Sequence, residues 1–125
     1  MKFPNIFSDT HLLTSITIES RFKLYNFDLN ESLFWDLIQL QDLTVVKTGI
    51  KILPSLLFRD NVNLKVLDLS SNSITQLPDT VFHPLNNLEM IDLSHNKLEY
   101  LSEAILKRNN KLKNIKITFP MKHDL

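Results

Sequence analysis

The sequence predicts one α/β solenoid domain over residues 1–125, with short parallel β-strands on a concave face and turns with short helical segments on a convex face. Three observations carry this expectation. The chain matches itself at a constant shift, which brings Leu40 onto Leu64 and Leu64 onto Leu88. Within each period, apolar and polar residues alternate over a few positions, as in a strand with one buried face. The apolar residues that follow fall three to five apart, too irregular for a second strand and suited to turns and a short helical segment. One such unit cannot bury its own apolar face, whereas stacked units share a continuous core.

The clearest period runs Leu64, Leu67, Leu69, Asn72, Ile74, Leu77, Pro78, Phe82, Leu85. Moving forward by 24 gives Leu88, Ile91, Leu93, Asn96, Leu98 and Leu101, then Leu106 at the Phe place. Moving back by 24 gives Leu40, Leu43, Val45, Thr48, Ile50, Leu53, Pro54 and Phe58, with Asn61 where Leu is expected. Leu13, Ile16 and Ile18 open an earlier unit lengthened by three residues before Leu29 and closed by Phe34 and Leu37. Leu112, Ile115 and Ile117 open a later one, with Pro120 where Asn belongs. The expected organisation is a partial repeat 1–12, repeats 13–39, 40–63, 64–87 and 88–111, and a partial repeat 112–125. The chain is thus expected to begin inside one repeat and stop inside another.

The stacking assigns structural roles. Phe7, Phe34, Phe58 and Phe82 share one position and predict an aromatic column near the convex wall, continued by Leu106. Asn72 and Asn96 follow their strands where the chain must turn. A buried amide there both donates to and accepts from backbone groups, which predicts a ladder joined by the Thr48 hydroxyl. Arg21 and Pro120 cannot take this role, so the ladder is expected to fail at both ends.

The pattern LxxLxLxxNxLxxLPxxxFxxLxxL, with its most specific segments at Leu67-Asp68-Leu69-Ser70-Ser71-Asn72 and Ile91-Asp92-Leu93-Ser94-His95-Asn96, resembles the typical 24-residue leucine-rich repeat of animal extracellular proteins. Its texture is similar to Toll-type receptor ectodomains and related secreted immune proteins. The resemblance covers about residues 3–118. It implies a right-handed solenoid, a non-catalytic protein-binding role on the concave face, and an extracellular or membrane-anchored parent protein. No cofactor is implied.

Strand side chains that alternate with the buried leucines should face outward on the concave side. They are Ser15, Thr17 and Glu19; Asp42, Thr44 and Val46; Val66, Asp68 and Ser70; Met90, Asp92 and Ser94; and Asn114, Lys116 and Thr118. The candidate binding residues are Thr44, Val46, Val66, Asp68, Ser70, Met90, Asp92, Ser94, Asn114 and Lys116. Val46, Val66 and Met90 are read as exposed apolar residues beside acidic Asp68 and Asp92, a mixture that suits a protein or peptide ligand better than phosphate. The alternative is solvent-facing repeat filler.

Several chemistries find no support. The chain has no Cys, which excludes disulfides, thiolate metal sites and cysteine nucleophiles, and its one Gly excludes Gly-rich phosphate loops. Four histidines stand in unrelated settings, so no metal site is expected. Ser71 and His95 share a repeat position and approach a catalytic pair, but they lie on an open face without oxyanion donors. No catalytic residue is assigned.

Lys+Arg and Asp+Glu number 14 each, which gives no global basic field for nucleic acid. The charge is uneven, however. Residues 1–105 carry 8 basic and 13 acidic side chains, and residues 106–125 carry 6 basic against one acidic. The basic end reads as an edge strand blunted by lysines or as a docking patch. No run approaches 18 apolar residues, and the first residues break the pattern of a secretory leader, so neither membrane contact nor a leader is expected in this segment. Asn30-Glu31-Ser32 is an N-glycosylation sequon. Uncapped ends predict end-to-end self-association. The readings carried forward are a binding module, a structural segment of a longer ectodomain and, as a foil, an enzyme.

Overall fold

The computed structural model describes residues 11–20 and 29–121. Five strands form one parallel sheet in chain order: β1 Ser15–Glu19, β2 Asp42–Val46, β3 Val66–Asp68, β4 Met90–Asp92 and β5 Asn114–Lys116. Ser15 pairs with Asp42, and from there Asp42, Val66, Met90 and Asn114 pair in succession, each one period beyond the last. The three extra residues of the first period are absorbed in the connection between β1 and β2. Ile16 still meets Leu43, and Ile18 still meets Val45. A slip of one residue would turn every inward side chain to solvent, so burial of one face fixes this register.

Leu43, Val45, Leu67, Leu69, Ile91 and Leu93 point into the core and are fully buried. Leu40, Leu64 and Leu88, two residues before their strands, and Phe34, Phe58 and Phe82 of the convex wall complete the same core. Both walls therefore bury apolar surface against the neighbouring turn of the chain, at roughly 25 cal/mol per Å² removed from water.

The short helical segments expected on the convex side take another form, since no helix occurs among the described residues. Leu57 N–H donates to Pro54 O, Arg59 to Leu56, Asn61 to Phe58 and Leu64 to Asn61. Each bond closes a three-residue step, but the donors lie two or three residues apart, so the bonds never run consecutively as a 3₁₀ helix requires. The inward side chains Phe58, Asn61 and Leu64 recur every third residue, a spacing that separate turns satisfy and a 3.6-residue helix does not. Leu106 at the Phe place is only partly buried. Its neighbour Ile105 is the buried residue there.

The turn after each strand is tight. Lys47, Ser71 and His95 occupy one repeat position and all have left-handed backbone, with φ of 57°, 58° and 55°. An L-residue pays roughly 1–2 kcal/mol for that conformation. Bonding between successive turns holds it: Lys47 N–H donates to Ser71 O, Ser71 N–H to Ser94 O, and His95 N–H to the Thr118 hydroxyl. At β5 all three strand residues are exposed, inward-facing Ile115 among them.

Candidate interaction face

The parallel register aligns the outward side chains in rows across the concave face. One row holds Ser15, Asp42, Val66, Met90 and Asn114; the next holds Thr17, Thr44, Asp68, Asp92 and Lys116. Glu19 and Val46 form a third row at the end of β1 and β2, and Ser70, Ser94 and Thr118 lie just past β3, β4 and β5. Adjacent strands lie about 4.8 Å apart, so the Asp68 and Asp92 carboxylates are neighbours.

Each carboxylate is fixed through one oxygen. Asp68 Oδ1 accepts the Ser70 N–H at 2.9 Å. Asp92 Oδ1 accepts the Ser94 N–H at 2.9 Å and the Ser94 hydroxyl at 2.5 Å. Neither Oδ2 is bonded to a described residue. Both aspartates are half-buried, and Lys116 beside Asp92 is exposed. The result is two oriented carboxylate oxygens on adjacent strands, able to accept from one cationic side chain. Val46, Val66 and Met90 are half-buried rather than exposed, and Val66 and Met90 each have a paired strand residue on both sides. The apolar surface they offer is therefore smaller than the sequence suggests. Thr44 is also half-buried, whereas Asn114 is exposed.

Under this face the turns are tied by amides. Asn72 Oδ1 accepts the Thr48 N–H at 3.0 Å and the Thr48 hydroxyl at 2.8 Å. Asn72 Nδ2 donates to Val45 O at 2.7 Å and Leu69 O at 3.0 Å. Asn96 Oδ1 accepts the Ile74 N–H, and its Nδ2 donates to Leu69 O and Leu93 O. Each amide thus joins two successive turns. Pro120 is exposed at the corresponding later position, and Arg21 lies outside the described residues.

Behind the sheet, Phe34, Phe58 and Phe82 are fully buried and stack with centroids 6.3 and 6.0 Å apart and planes inclined by 9° and 23°. Phe7 lies outside the described residues. A second set of amides escaped the sequence reading. Asn61 Nδ2 donates to Phe34 O and Leu37 O, and Asn109 Nδ2 donates to Phe82 O and Leu85 O. The available signal was Asn61 at a Leu position and its recurrence as Asn109 two periods later. On the convex surface, Arg59 lies 3.5 Å from the centroid of the Trp35 ring, whose Nε1–H donates to Leu56 O. His83 occupies the next turn at the same position, and its Nε2 meets Ala104 O at 3.1 Å. A carbonyl only accepts, so Nε2 carries the proton.

Ser71 and His95 share the left-handed turn position, and no hydrogen bond joins their side chains. Among the described residues no three His, Asp or Glu converge as metal ligands. Asn30 is exposed at the start of the first convex turn among the described residues.

A Leucine rich repeat family model matches residues 38–98 and 62–119, together more than half of the chain. No curated protein matches the chain in sequence. Solved structures do match. The leucine-rich repeat domain of APL1B shares 23% identity over 84% of this chain and 33% of its own, with a TM-score of 0.71. A chain of the Toll–Spatzle complex, described as a hub in Drosophila development and innate immunity, shares 26% identity over 94% of this chain and 15% of its own, with a TM-score of 0.78. A chain of the LRIM1/APL1C complex shares 20% identity over 95% of this chain and 22% of its own, with a TM-score of 0.83. The present chain spans a third or less of each of these proteins. The matched model, the constant strand register and these folds agree: the chain belongs to the leucine-rich repeat family.

Proposed function

We propose that the chain is a non-catalytic protein-binding module of an extracellular receptor or secreted immune-type protein, and that its concave face takes an extended polypeptide. The observation that carries this reading is the Asp68–Asp92 pair, with one oxygen of each pinned by Ser70 or Ser94 and the other left available. A Lys or Arg of the ligand meets both carboxylates, and an aliphatic neighbour lies against Val66 and Met90. Two of the similar folds come from protein complexes, Toll with Spatzle and LRIM1 with APL1C, which supports a polypeptide as the ligand class.

Selection of displayed random peptides on the intact chain tests the reading. Enriched peptides are expected to pair a basic residue with an aliphatic one and to lose binding to the Asp68→Asn/Asp92→Asn variant. Peptides that bind the variant equally well would overturn it.

A second reading, a structural segment of a longer array, is favoured by the size of the face. Five strands about 4.8 Å apart, the longest of five residues and about 17 Å, span on the order of 400 Å² at most. A standard interface needs about 800 Å² per partner.

A further inference from the structure

We propose that Asn30 is an acceptor for N-linked glycosylation, placed so that the oligosaccharide leaves from the convex wall and the concave face stays clear. The sequon Asn30-Glu31-Ser32 alone is a common accident in a chain with 12 asparagines. The geometry adds what the motif lacks. Asn30 stands where the convex turn begins, the position held by Pro54, Pro78 and Ser102 in later turns. Its carbonyl accepts from Leu33 N–H at 3.1 Å, as Pro54 O accepts from Leu57, Pro78 O from Val81 and Ser102 O from Ile105. The residue is exposed and is not part of any strand.

Its side chain is also oriented. Oδ1 accepts both the Ser32 N–H at 2.9 Å and the Ser32 hydroxyl at 2.8 Å. These two donors engage the carbonyl oxygen, and Nδ2 is bonded to no described residue. The hydroxyl that a sequon requires is thus already bonded to the amide that reacts. A hydrogen bond to the oxygen draws electrons from the amide and makes its N–H more acidic. The donor is an oligosaccharide carried on a polyprenyl pyrophosphate. In the transfer, a bond forms between Nδ2 and C1 of the first sugar, while the bond from C1 to the pyrophosphate oxygen breaks. The pyrophosphate leaves with the electron pair, and one amide proton passes to a base of the transferase.

The test is secretion of the whole 125-residue chain from animal cells behind a cleavable leader, read by intact mass on the chain whose leader has been removed. The expected result is a mass increase of one oligosaccharide, removed by an amidase that converts the linked asparagine to aspartate. Asn30→Gln and Ser32→Ala are each expected to abolish the increase, and Ser32→Thr to retain it. Ser32→Ala keeps the backbone N–H bond to Oδ1 and removes only the hydroxyl, so its effect isolates that group. A leader-cleaved wild-type chain without sugar would overturn the proposal, as would a glycan that persists in Asn30→Gln.

Discussion

Phe58 is the middle one of the three described rings, and its truncation is the sharpest test of the stacking. The side chain is fully buried and lies between Phe34 and Phe82, 6.3 and 6.0 Å away. Phe→Ala in a core costs roughly 3–5 kcal/mol in lost transfer energy and residual cavity. Each aromatic pair contributes about 0.5–1.5 kcal/mol beyond area. Phe58→Ala breaks both pairs, so its cost belongs at the upper end, about 5 kcal/mol. Phe34→Ala and Phe82→Ala each break one of these pairs and should cost about 1 kcal/mol less. With a urea dependence near 2 kcal/mol per M, Phe58→Ala moves the unfolding midpoint by about 2 M or more. Trp35 is the only tryptophan, and its contacts with Arg59 and Leu56 make its fluorescence a direct probe. Tyr100, 73% exposed, is the control. A Phe58→Ala midpoint no lower than that of Tyr100→Ala would refute the stacked core.

Further outcomes follow from the same contacts. Asn72→Leu strands the Thr48 N–H and the Val45 carbonyl and should cost at least about 1–3 kcal/mol, whereas Ser73→Ala should leave the urea midpoint unchanged. Asp60 is held below its usual pKa of 3.8, first by the Arg59 hydrogen bonds and then by the Asp36 N–H. A depressed folded pKa means that the ionised form stabilises: the contribution is complete above 3.8 and is lost as pH falls below it. Urea midpoints should therefore fall less steeply with acidification in Asp60→Asn than in wild type. At the β5 end, Ile115, Phe119 and Met121 are 48%, 46% and 83% exposed, so the isolated chain should self-associate in light scattering, and Ile115→Asp should return it towards monomer.

The fold was legible because burial of one strand face once in every period leaves a strict spacing, and that spacing alone sets the parallel register. The convex wall was less so. Three-to-five spacing fits a helix and a string of turns alike, and only the hydrogen bonds separate them. Lys47, Ser71 and His95 gave no warning of left-handed backbone, since none is Gly and bonding between turns imposes the conformation. The outward residues could be named in advance, but the half-burial of Val66 and Met90 depends on their neighbours across the sheet. The pinning of Asp68 and Asp92 by residues two positions on is a local bond that no long spacing encodes. Trp35 and Arg59 share the spacing of the repeat, yet their stacking depends on rotamers.

The amides of the convex wall carry a consequence for how such a chain can change length. Leu37, Asn61, Leu85 and Asn109 alternate at one position, and the Asn61 and Asn109 oxygens are buried without a donor among the described residues. The wall is therefore a lattice with a doubled cell: one period repeats the shape, but two are needed to repeat the chemistry. Loss of residues 64–87 would set Asn109 directly beyond Asn61, amide against amide. Loss of residues 40–87 would instead set Asn109 directly beyond Leu37, a leucine before an asparagine again. Turns of this array are interchangeable in pairs, so duplication or deletion by two should be tolerated better than by one.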